Sequence, residues 1–220
     1  QNDKNVLSLL KGNGSFDSPE CIELLKEADI VVTNPPFSLF KEYMALIMLY
    51  NKDFLVIGNT NALKYKDCFK WFMQDRIRTG YTNFNVGMFF YVPESFDKFH
   101  HIENGKKIAR VSTSCWFTSL PVAKHRDFLD LYKHYTPEEY PTYDTYDAIN
   151  VNKVTDIPCD YCGIMGVPIT FMDKYNPEQF EIVGEFNNGS DSELDLAKPI
   201  VNGQQMYSRV AIRNKKTQKP

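Results

Sequence analysis

The residues with the clearest chemical potential form one short segment, Asn34-Pro35-Pro36-Phe37. The Asn34 side-chain carbonyl and the Pro35 backbone carbonyl can accept hydrogen bonds from the two N–H bonds of a planar exocyclic amine. The two prolines restrict the backbone that presents the second carbonyl. Phe37 offers a face on which a base can stack, which is worth roughly 1–3 kcal/mol per base. The segment therefore predicts methyl transfer to an amine, with positioning supplying most of the acceleration.

The elements around this segment decide whether it can act in this way. Residues 28–33 are a short β-branched apolar run, which predicts a strand buried on both faces of a parallel sheet. Two consecutive prolines cannot continue a central strand, so the chain must leave the sheet at Asn34. Ligands of open parallel sheets bind beyond the carboxyl ends of strands, which is where the segment would lie. The alternative interpretation is a strand-ending turn without function.

A helix is predicted upstream of this strand, beginning near Glu20. Ser18 is the expected N-cap. Its apolar positions, Ile22, Leu24 and Leu25, are expected to face inward.

The elements downstream continue the same alternation. Ser38 is expected to cap a helix that runs to about Tyr50, and a second buried strand covers residues 54–58. A further helix is predicted at 63–73. An order of helix, strand, helix, strand, helix is typical of an α/β fold with a parallel sheet.

The second half of the chain is richer in strands. Residues 84–93 and 107–120 predict a long antiparallel hairpin with a polar loop at 94–106. Shorter elements are predicted further on: a helix at 127–135, an irregular segment at 136–162, strands at 164–171, 180–183 and 206–212, and a loop at 187–192.

Composition sets broad limits on function. The 220 residues suffice for one domain with a sizeable core. The formal net charge of −3 counts mildly against a nucleic-acid partner, although a local basic stripe can still contact phosphates. No apolar run approaches the roughly 20 residues of a membrane span. Five cysteines without a signal peptide favour a reducing, cytoplasmic setting.

No metal is expected from the cysteines. Cys159 and Cys162 form a CxxC pair, but no second pair follows to complete a four-ligand zinc site.

Several other residues carry weaker signals. His100 and His101 lie in the polar loop, where contact with phosphate and simple solvation are both open. Trp116 and Phe117 are expected in the core rather than as a base wedge. The remaining candidates for phosphate contacts are Lys64, Lys66, Lys106, Lys107, Arg110, His125 and Arg126.

Residues 28–40 resemble the target-amine motif of amino-methyltransferases that use S-adenosylmethionine. The wider pattern is similar to one branch, the EcoRI-type adenine-specific DNA methyltransferases. The resemblance covers most of the chain from about residue 9. Besides the target-amine motif it rests on residues 20–25, 54–59, 115–118, 146–151, 166–171 and 175–184.

The resemblance implies a partial Rossmann-like methyltransferase sheet with a β-rich C-terminal extension. Residues 1–83 would form the partial catalytic core, and residues 84–220 the β-rich remainder with the region that recognises DNA. The implied cofactor is S-adenosylmethionine, and the implied partner is double-stranded DNA. A target adenine would have to be flipped out of the duplex to reach the pocket.

The resemblance also implies roles for individual residues. Asn34 and Pro35 would hold the amine, in the stiff backbone that Pro36 supplies, and Phe37 would stack on the base. Asn59 and Asn61 end the neighbouring strand and are expected to line the substrate pocket. Four residues fall where the family approaches the cofactor adenine: Asn13, Gly14, Ser15 and Phe16. The family tends to have an acidic side chain there, and Asn13 and Ser15 depart from that pattern.

The glycine-rich loop with which the family holds the methionine part of the cofactor has no counterpart in the sequence. Gly12-Asn13-Gly14 is too short and lies too near Asn34. We therefore expect the chain to be a fragment that needs an upstream cofactor-binding segment of its parent chain. Methylation of an RNA base or a glutamine amide, and a non-catalytic DNA-binding remnant, remain alternatives.

Overall fold

A computed structural model describes residues 9–82, 84, 86–187 and 193–217. Its α-helices are α1 (Pro19–Glu27), α2 (Phe40–Leu49) and α3 (Lys66–Met73). Its 3₁₀ helices are Phe37–Leu39, Thr60–Lys64, Ala123–His125, Val154–Asp156 and Ile169–Lys174. Its strands are β1 (Ile30–Thr33), β2 (Asp53–Asn59), β3 (Arg78–Thr79), β4 (Met88–Tyr91), β5 (His101–Glu103), β6 (Lys106–Val111), β7 (Ser114–Thr118), β8 (Ile149–Asn150), β9 (Met165–Val167), β10 (Phe180–Phe186), β11 (Asp195–Ala197), β12 (Ile200–Val201), β13 (Gln204–Gln205) and β14 (Arg209–Asn214).

These strands form a mixed α/β structure with several sheets. The α/β class was predicted, whereas in the first sheet the predicted parallel pairing holds only between β1 and β2. A four-stranded sheet has the order β1-β2-β7-β3, with β1 and β2 parallel and β7 antiparallel to both β2 and β3. A five-stranded sheet has the order β11-β10-β14-β9-β8. A three-stranded sheet, β4-β6-β5, and the pair β12-β13 complete the described strands.

Helix α1 begins as predicted, but its packing differs from the prediction. The Ser18 hydroxyl accepts a hydrogen bond from the Cys21 N–H at 3.3 Å, and Pro19 occupies the first turn. No residue of α1 is fully buried. The expectation that Leu24 faces inward is wrong, because its side chain is exposed.

Strand β1 is also more exposed than predicted. It pairs with β2 on one side and lies at the edge of the described sheet, and Val32 is 65% exposed. The prediction of burial on both faces is therefore wrong, since an apolar run looks the same in an edge strand and a central strand. Strand β2, the second predicted strand, is the more buried of the two, with Phe54 and Val56 inaccessible to solvent.

Helix α2 begins without the predicted cap. A 3₁₀ turn comes first, in which the Leu39 N–H donates to the Pro36 carbonyl at 3.0 Å. The N-cap of α2 is Leu39 rather than Ser38, because the preceding turn already supplies the hydrogen bonds that a cap would make. The buried face, with Phe40, Met44 and Ile47, follows the predicted helical spacing.

The predicted long hairpin is only partly present. Strands β4 and β6 pair antiparallel, but β5 pairs with the other edge of β6. The run 107–120 is two strands in different sheets, separated at residues 112–113, and the second of them, β7, is largely buried between β2 and β3. Burial of β7 requires the chain to leave the exposed sheet at this point.

The helix predicted at 127–135 is absent from the structure. The Leu129 N–H and carbonyl bond to the Gln179 side chain at 2.7 and 2.9 Å, and the Lys133 carbonyl accepts from the Cys159 N–H. These long-range partners replace the bonds to the fourth preceding residue that a helix needs.

The remaining predictions hold only in part, since the strand predicted at 164–171 is limited to Met165–Val167. Residues 136–162 are mostly irregular, and Pro168 ends β9 before a 3₁₀ helix. Strands β10 and β14 match the last two predicted strands with shifted ends. Most of the loop predicted at 187–192 lies outside the described residues.

One hydrophobic cluster joins the four-stranded and five-stranded sheets. It contains Phe117 of the first sheet, Phe40 of α2, Phe72 of α3, and Phe180 and Ile212 of the second sheet. Strand β7, which follows the predicted domain boundary at residues 83/84, lies in the same sheet as β1 and β2, which precede it. The boundary stays a prediction. Within the described ranges, no helix is long and apolar enough to cross a membrane.

Candidate active site

The candidate site begins where β1 ends. Thr33 pairs with Val56 of β2, and the chain leaves the sheet at the next residue, as two prolines require. Pro35 is buried, whereas Asn34 and Pro36 are exposed and Phe37 is 38% exposed. Both the amide and the aromatic ring are therefore accessible to a substrate.

The backbone carbonyls of this segment differ in whether they already accept a backbone hydrogen bond. The Pro36 carbonyl accepts from the Leu39 N–H, and the Phe37 carbonyl accepts from the Phe40 N–H. Within the described ranges the Pro35 carbonyl has no such backbone donor. The Pro35 carbonyl, next to Asn34, can therefore accept hydrogen bonds from a substrate.

A cavity of about 640 Å³ lies beside the segment. Asn34, Pro35 and Pro36 line it from the strand end. Gly14, Ser15 and Phe16, which the sequence assigned to the cofactor, line it as well; Asn13, Phe37, Asn59 and Asn61 do not. The structure thus brings six of the ten predicted site residues to a single cavity.

Thr33 and Tyr43 also line this cavity, although the sequence did not identify either of them as a site residue. The Phe16 ring meets the Tyr43 ring edge-on, with centroids 5.2 Å apart. The Tyr43 hydroxyl is hydrogen-bonded to the Thr33 side chain; burial raises the pKa of Tyr43, and this hydrogen bond opposes the rise. The sequence places Tyr43 in the helix predicted after Ser38, but no pattern in the sequence links residue 43 to residue 16.

The turn before α1 holds the cofactor candidates in place. The Asn13 side-chain oxygen accepts from the Ser15 N–H at 3.0 Å, which is an Asx turn, and Gly14 has a φ of +73°. The Ser15 hydroxyl donates to the Asp17 carboxylate. Asn13 thus shapes the turn, and Asp17 adds an acidic group close to Ser15.

Asn59 and Asn61 interact with each other at the end of β2. The Asn59 side-chain oxygen accepts from the Asn61 N–H at 2.9 Å and caps the following 3₁₀ helix. Their role in substrate binding stays a prediction.

His125 lies in a buried polar cluster, so the suggestion that it contacts phosphate is wrong. Its ring nitrogens lie 2.8 Å from the Tyr175 carbonyl and 3.0 Å from the Thr79 carbonyl. Burial lowers its pKa. Beside it, Lys124 and Asp173 form an ion pair at 2.6 Å.

One group of side chains has the composition of a metal site. Potential ligand atoms of His134, Cys159 and Asp160 all lie within 4.8 Å of one another. The His134 Nδ1 lies 3.0 Å from the Asp160 carboxylate, so an ordinary hydrogen bond accounts for this pair. Cys162, the second cysteine of the CxxC pair, is exposed and is not part of the group. The expectation of no metal stays a prediction.

Comparison with known proteins gives a consistent result. The family described as adenine-specific methyltransferase EcoRI matches residues 2–219. The Type II methyltransferase M.EcoRI of Escherichia coli is 45% identical over 214 residues, which are 94% of this chain and 64% of that protein. The Type II methyltransferase M.MgeORF184P of Mycoplasma genitalium is 41% identical over 224 residues, which cover 93% of this chain and 70% of that protein.

A third relative, the Type II methyltransferase M.MpnI of Mycoplasma pneumoniae, is 38% identical over 226 residues, which are 94% of this chain and 70% of that protein. The chain spans 64–70% of the length of these relatives. No solved structure matches the chain.

Proposed function

The chain belongs to the EcoRI-type family of adenine-specific methyltransferases, and from this premise we propose that it methylates the exocyclic amine of adenine in double-stranded DNA at specific sites. The proposed methyl donor is S-adenosylmethionine. The observation that carries the proposal is the shared cavity, in which the amine-holding residues Asn34 and Pro35 face the same space as Phe16.

The amine is held by two acceptors of different kinds. The Asn34 side-chain carbonyl accepts a hydrogen bond from one N–H group of the adenine amine, and the Pro35 backbone carbonyl accepts a hydrogen bond from the other. Together they fix the nitrogen and favour a pyramidal geometry, in which its lone pair becomes available. The amine loses its proton to water after the methyl group is attached, so no strong base is required.

Phe37 compensates for removal of the base from the duplex. Extrusion of a base costs a few kcal/mol of stacking and pairing. The exposed Phe37 ring returns roughly 1–3 kcal/mol of this as stacking on the flipped adenine. The following 3₁₀ turn fixes Phe37 relative to Asn34, since its first hydrogen bond begins at Pro36.

The residues of the cavity fit the proposed cofactor. A volume of about 640 Å³ lies within the usual range for small-molecule sites. Gly14, Ser15 and Phe16 would hold S-adenosylmethionine, which supplies an electrophilic methyl group on a sulfonium. The Phe16 ring, braced by Tyr43, offers an apolar surface to an adenine moiety. Asp17 does not line the cavity itself, but its carboxylate accepts a hydrogen bond from the Ser15 hydroxyl and so places an acidic group next to a lining residue.

The architecture and setting belong to the same proposal. Parallel strands β1 and β2, with α1 and α2 beside them in the chain, support a Rossmann-like methyltransferase sheet. The five cysteines are all free, which supports a reducing, cytoplasmic setting.

The test is methyl transfer from labelled S-adenosylmethionine to unmethylated duplex DNA. We expect label on the adenine amine with the full-length protein, which includes the upstream cofactor-binding segment that the sequence predicts, and a large loss with Asn34→Ala. Asn51→Gly is the matched control, because Asn51 follows the far end of α2 and its φ of 50° suits glycine. Undiminished transfer by Asn34→Ala, or label only on RNA or on a glutamine amide, would overturn the proposal.

A further inference from the structure

We infer that the three-stranded sheet β4-β6-β5 contacts the DNA duplex beside the target adenine, and that a cleft on it binds a backbone phosphate. This inference rests on the proposed function, and it names a part of the molecule that would contact the substrate outside the catalytic cavity. Four observations carry it: the position of the sheet, its exposed aromatic side chains, the lining of the cleft, and its charge.

The sheet leaves the core at the edge that carries the candidate active site. Strand β6 leads directly into β7, whose first residue, Ser114, pairs with Asn59 at the carboxyl end of β2. The Thr60 N–H donates to the Thr113 carbonyl at 2.7 Å and holds this connection. Since β1 is parallel to β2, Asn34 lies at the same edge. A duplex that delivers a base to Asn34 therefore approaches this edge of the sheet.

The sheet exposes large aromatic side chains, which are normally buried in a hydrophobic core. Phe89 and Tyr91 of β4 are 46% and 62% exposed. Cations lie over both rings: the Lys106 Nζ is 5.5 Å from the Tyr91 centroid, and the Arg110 guanidinium carbon is 6.0 Å from the Phe89 centroid. Exposed aromatic rings at alternate positions of one strand, each beside a cation, favour a binding role for this face of the sheet. Its mixture of planar rings and cations suits a nucleic acid better than an apolar peptide.

A cleft of about 280 Å³ lies on this sheet. Its lining consists of Lys98, Phe99, His100, Arg110 and Ser112. Two permanent cations, an imidazole and a hydroxyl converge there, and the described residues of the lining include no carboxylate. Hydrogen-bond donors of this kind are what a phosphate requires. The Arg110 Nε also donates to the Val86 carbonyl at 2.9 Å, which orients the guanidinium.

The charge of the segment differs in sign from that of the chain. Residues 86–113 contain four Lys and Arg and three Asp and Glu, a difference of +1 before the two histidines are counted, whereas the whole chain has −3. The phosphate backbone is attracted by such a local positive region, while the acidic remainder repels it. The charge therefore favours an anionic partner on this sheet over the same positive sheet of a second copy.

The test measures binding of the protein to a short mixed-sequence duplex over a range of salt concentrations. Lys98→Ala removes one cation from the cleft at an exposed loop position, so the fold should persist. We expect weaker binding and a slope of log K against log salt that is smaller in magnitude by about 1. Lys98→Arg should restore both. Lys198→Ala is the matched control, because Lys198 is an exposed lysine beside the five-stranded sheet.

The outcomes separate this inference from the proposed function. If the protein methylates duplex DNA but Lys98→Ala binds with unchanged affinity and slope, the phosphate cleft is overturned and the function stands. If the protein binds duplex in the expected salt-dependent way but transfers no methyl group, the function fails and the surface remains supported. If no duplex binding occurs, both fail. Self-association through this sheet, seen by sedimentation together with unchanged DNA affinity in Lys98→Ala, would also overturn the inference.

Discussion

The ring of Phe40 lies directly against Gly58. A Cβ atom added to Gly58 would come within 2.4 Å of the Phe40 Cε2 atom and within 2.9 Å of the Phe117 Cε2 atom. Phe40 is the first residue of α2, and the Phe37–Leu39 turn leads directly into it. Glycine on β2 therefore permits the close approach that fixes the downstream end of the segment carrying Asn34.

Gly58→Ala should lower both stability and activity. The added methyl group forces Phe40 or β2 to move, and overpacking of this kind costs roughly 1–3 kcal/mol in free energy of unfolding. Urea denaturation would measure the loss, and methyl transfer should fall with it. Gly12→Ala is the control for stability, since a Cβ there meets nothing within 4 Å. Equal stabilities of the two variants would show that Phe40 adjusts freely.

Phe37→Ala should weaken productive binding of the target base. Loss of stacking worth roughly 1–3 kcal/mol predicts a decrease in kcat/KM for duplex DNA of about 5-fold to 150-fold. Phe37→Trp should retain most of the activity. The control is Phe128→Ala, because Phe128 is an exposed phenylalanine outside the candidate site. A decrease of similar size in the Phe128 variant would contradict a specific role for Phe37.

Asp173→Asn should destabilise the fold strongly. Asp173 is buried, pairs with Lys124 at 2.6 Å and accepts hydrogen bonds from the Thr79 hydroxyl and the Phe84 N–H. Removal of its charge leaves Lys124 without a counter-ion, which costs about 3 kcal/mol or more. Equilibrium denaturation would measure this.

The control for Asp173 is a pair with similar geometry and much greater exposure. Glu181 and Arg213 lie 2.9 Å apart, and each side chain is about half exposed. Glu181→Gln should change the free energy of unfolding by less than about 1 kcal/mol. Equal effects of Asp173→Asn and Glu181→Gln would contradict the importance of burial.

The stability of the fold should decline below the ordinary pKa of histidine, at about 6.5. Burial lowers the pKa of His125, so the unfolded chain takes up its proton at a higher pH than the folded chain does. The contribution of His125 is therefore complete above the unfolded pKa and is lost as the pH falls through that window towards the folded pKa. Lys124 and Asp173 are the charged groups beside the ring.

Denaturation of the unaltered protein and of His125→Gln between about pH 7.5 and 5.5 would isolate this effect. The difference in free energy of unfolding between the two should shrink as the pH falls. His101→Gln, at an exposed histidine, should show the same pH dependence as the unaltered protein. A constant difference between the unaltered protein and His125→Gln would contradict the assignment.

Local chemistry made part of the fold predictable. Ser18 begins α1 because its hydroxyl satisfies an N–H group within one turn. The strand that ends at Thr33 and the strand β2 also follow from short apolar runs, although β2 alternates between buried and half-buried residues rather than being buried throughout. The helix expected at 127–135 failed because Gln179, far along the chain, takes the backbone hydrogen bonds of Leu129.

The sequence by itself determined the segment Asn34 to Phe37 and its place after a strand, because two prolines restrict the backbone locally. It also indicated the family, because several segments along the chain resemble that family. Only the tertiary structure decided that Phe16 meets Tyr43, that β7 enters the sheet of β2, and that Val32 lies exposed at the edge. These features depend on contacts between segments distant along the chain. Hydrophobic patterning shows that such a residue is suited to burial and does not show which partner covers it.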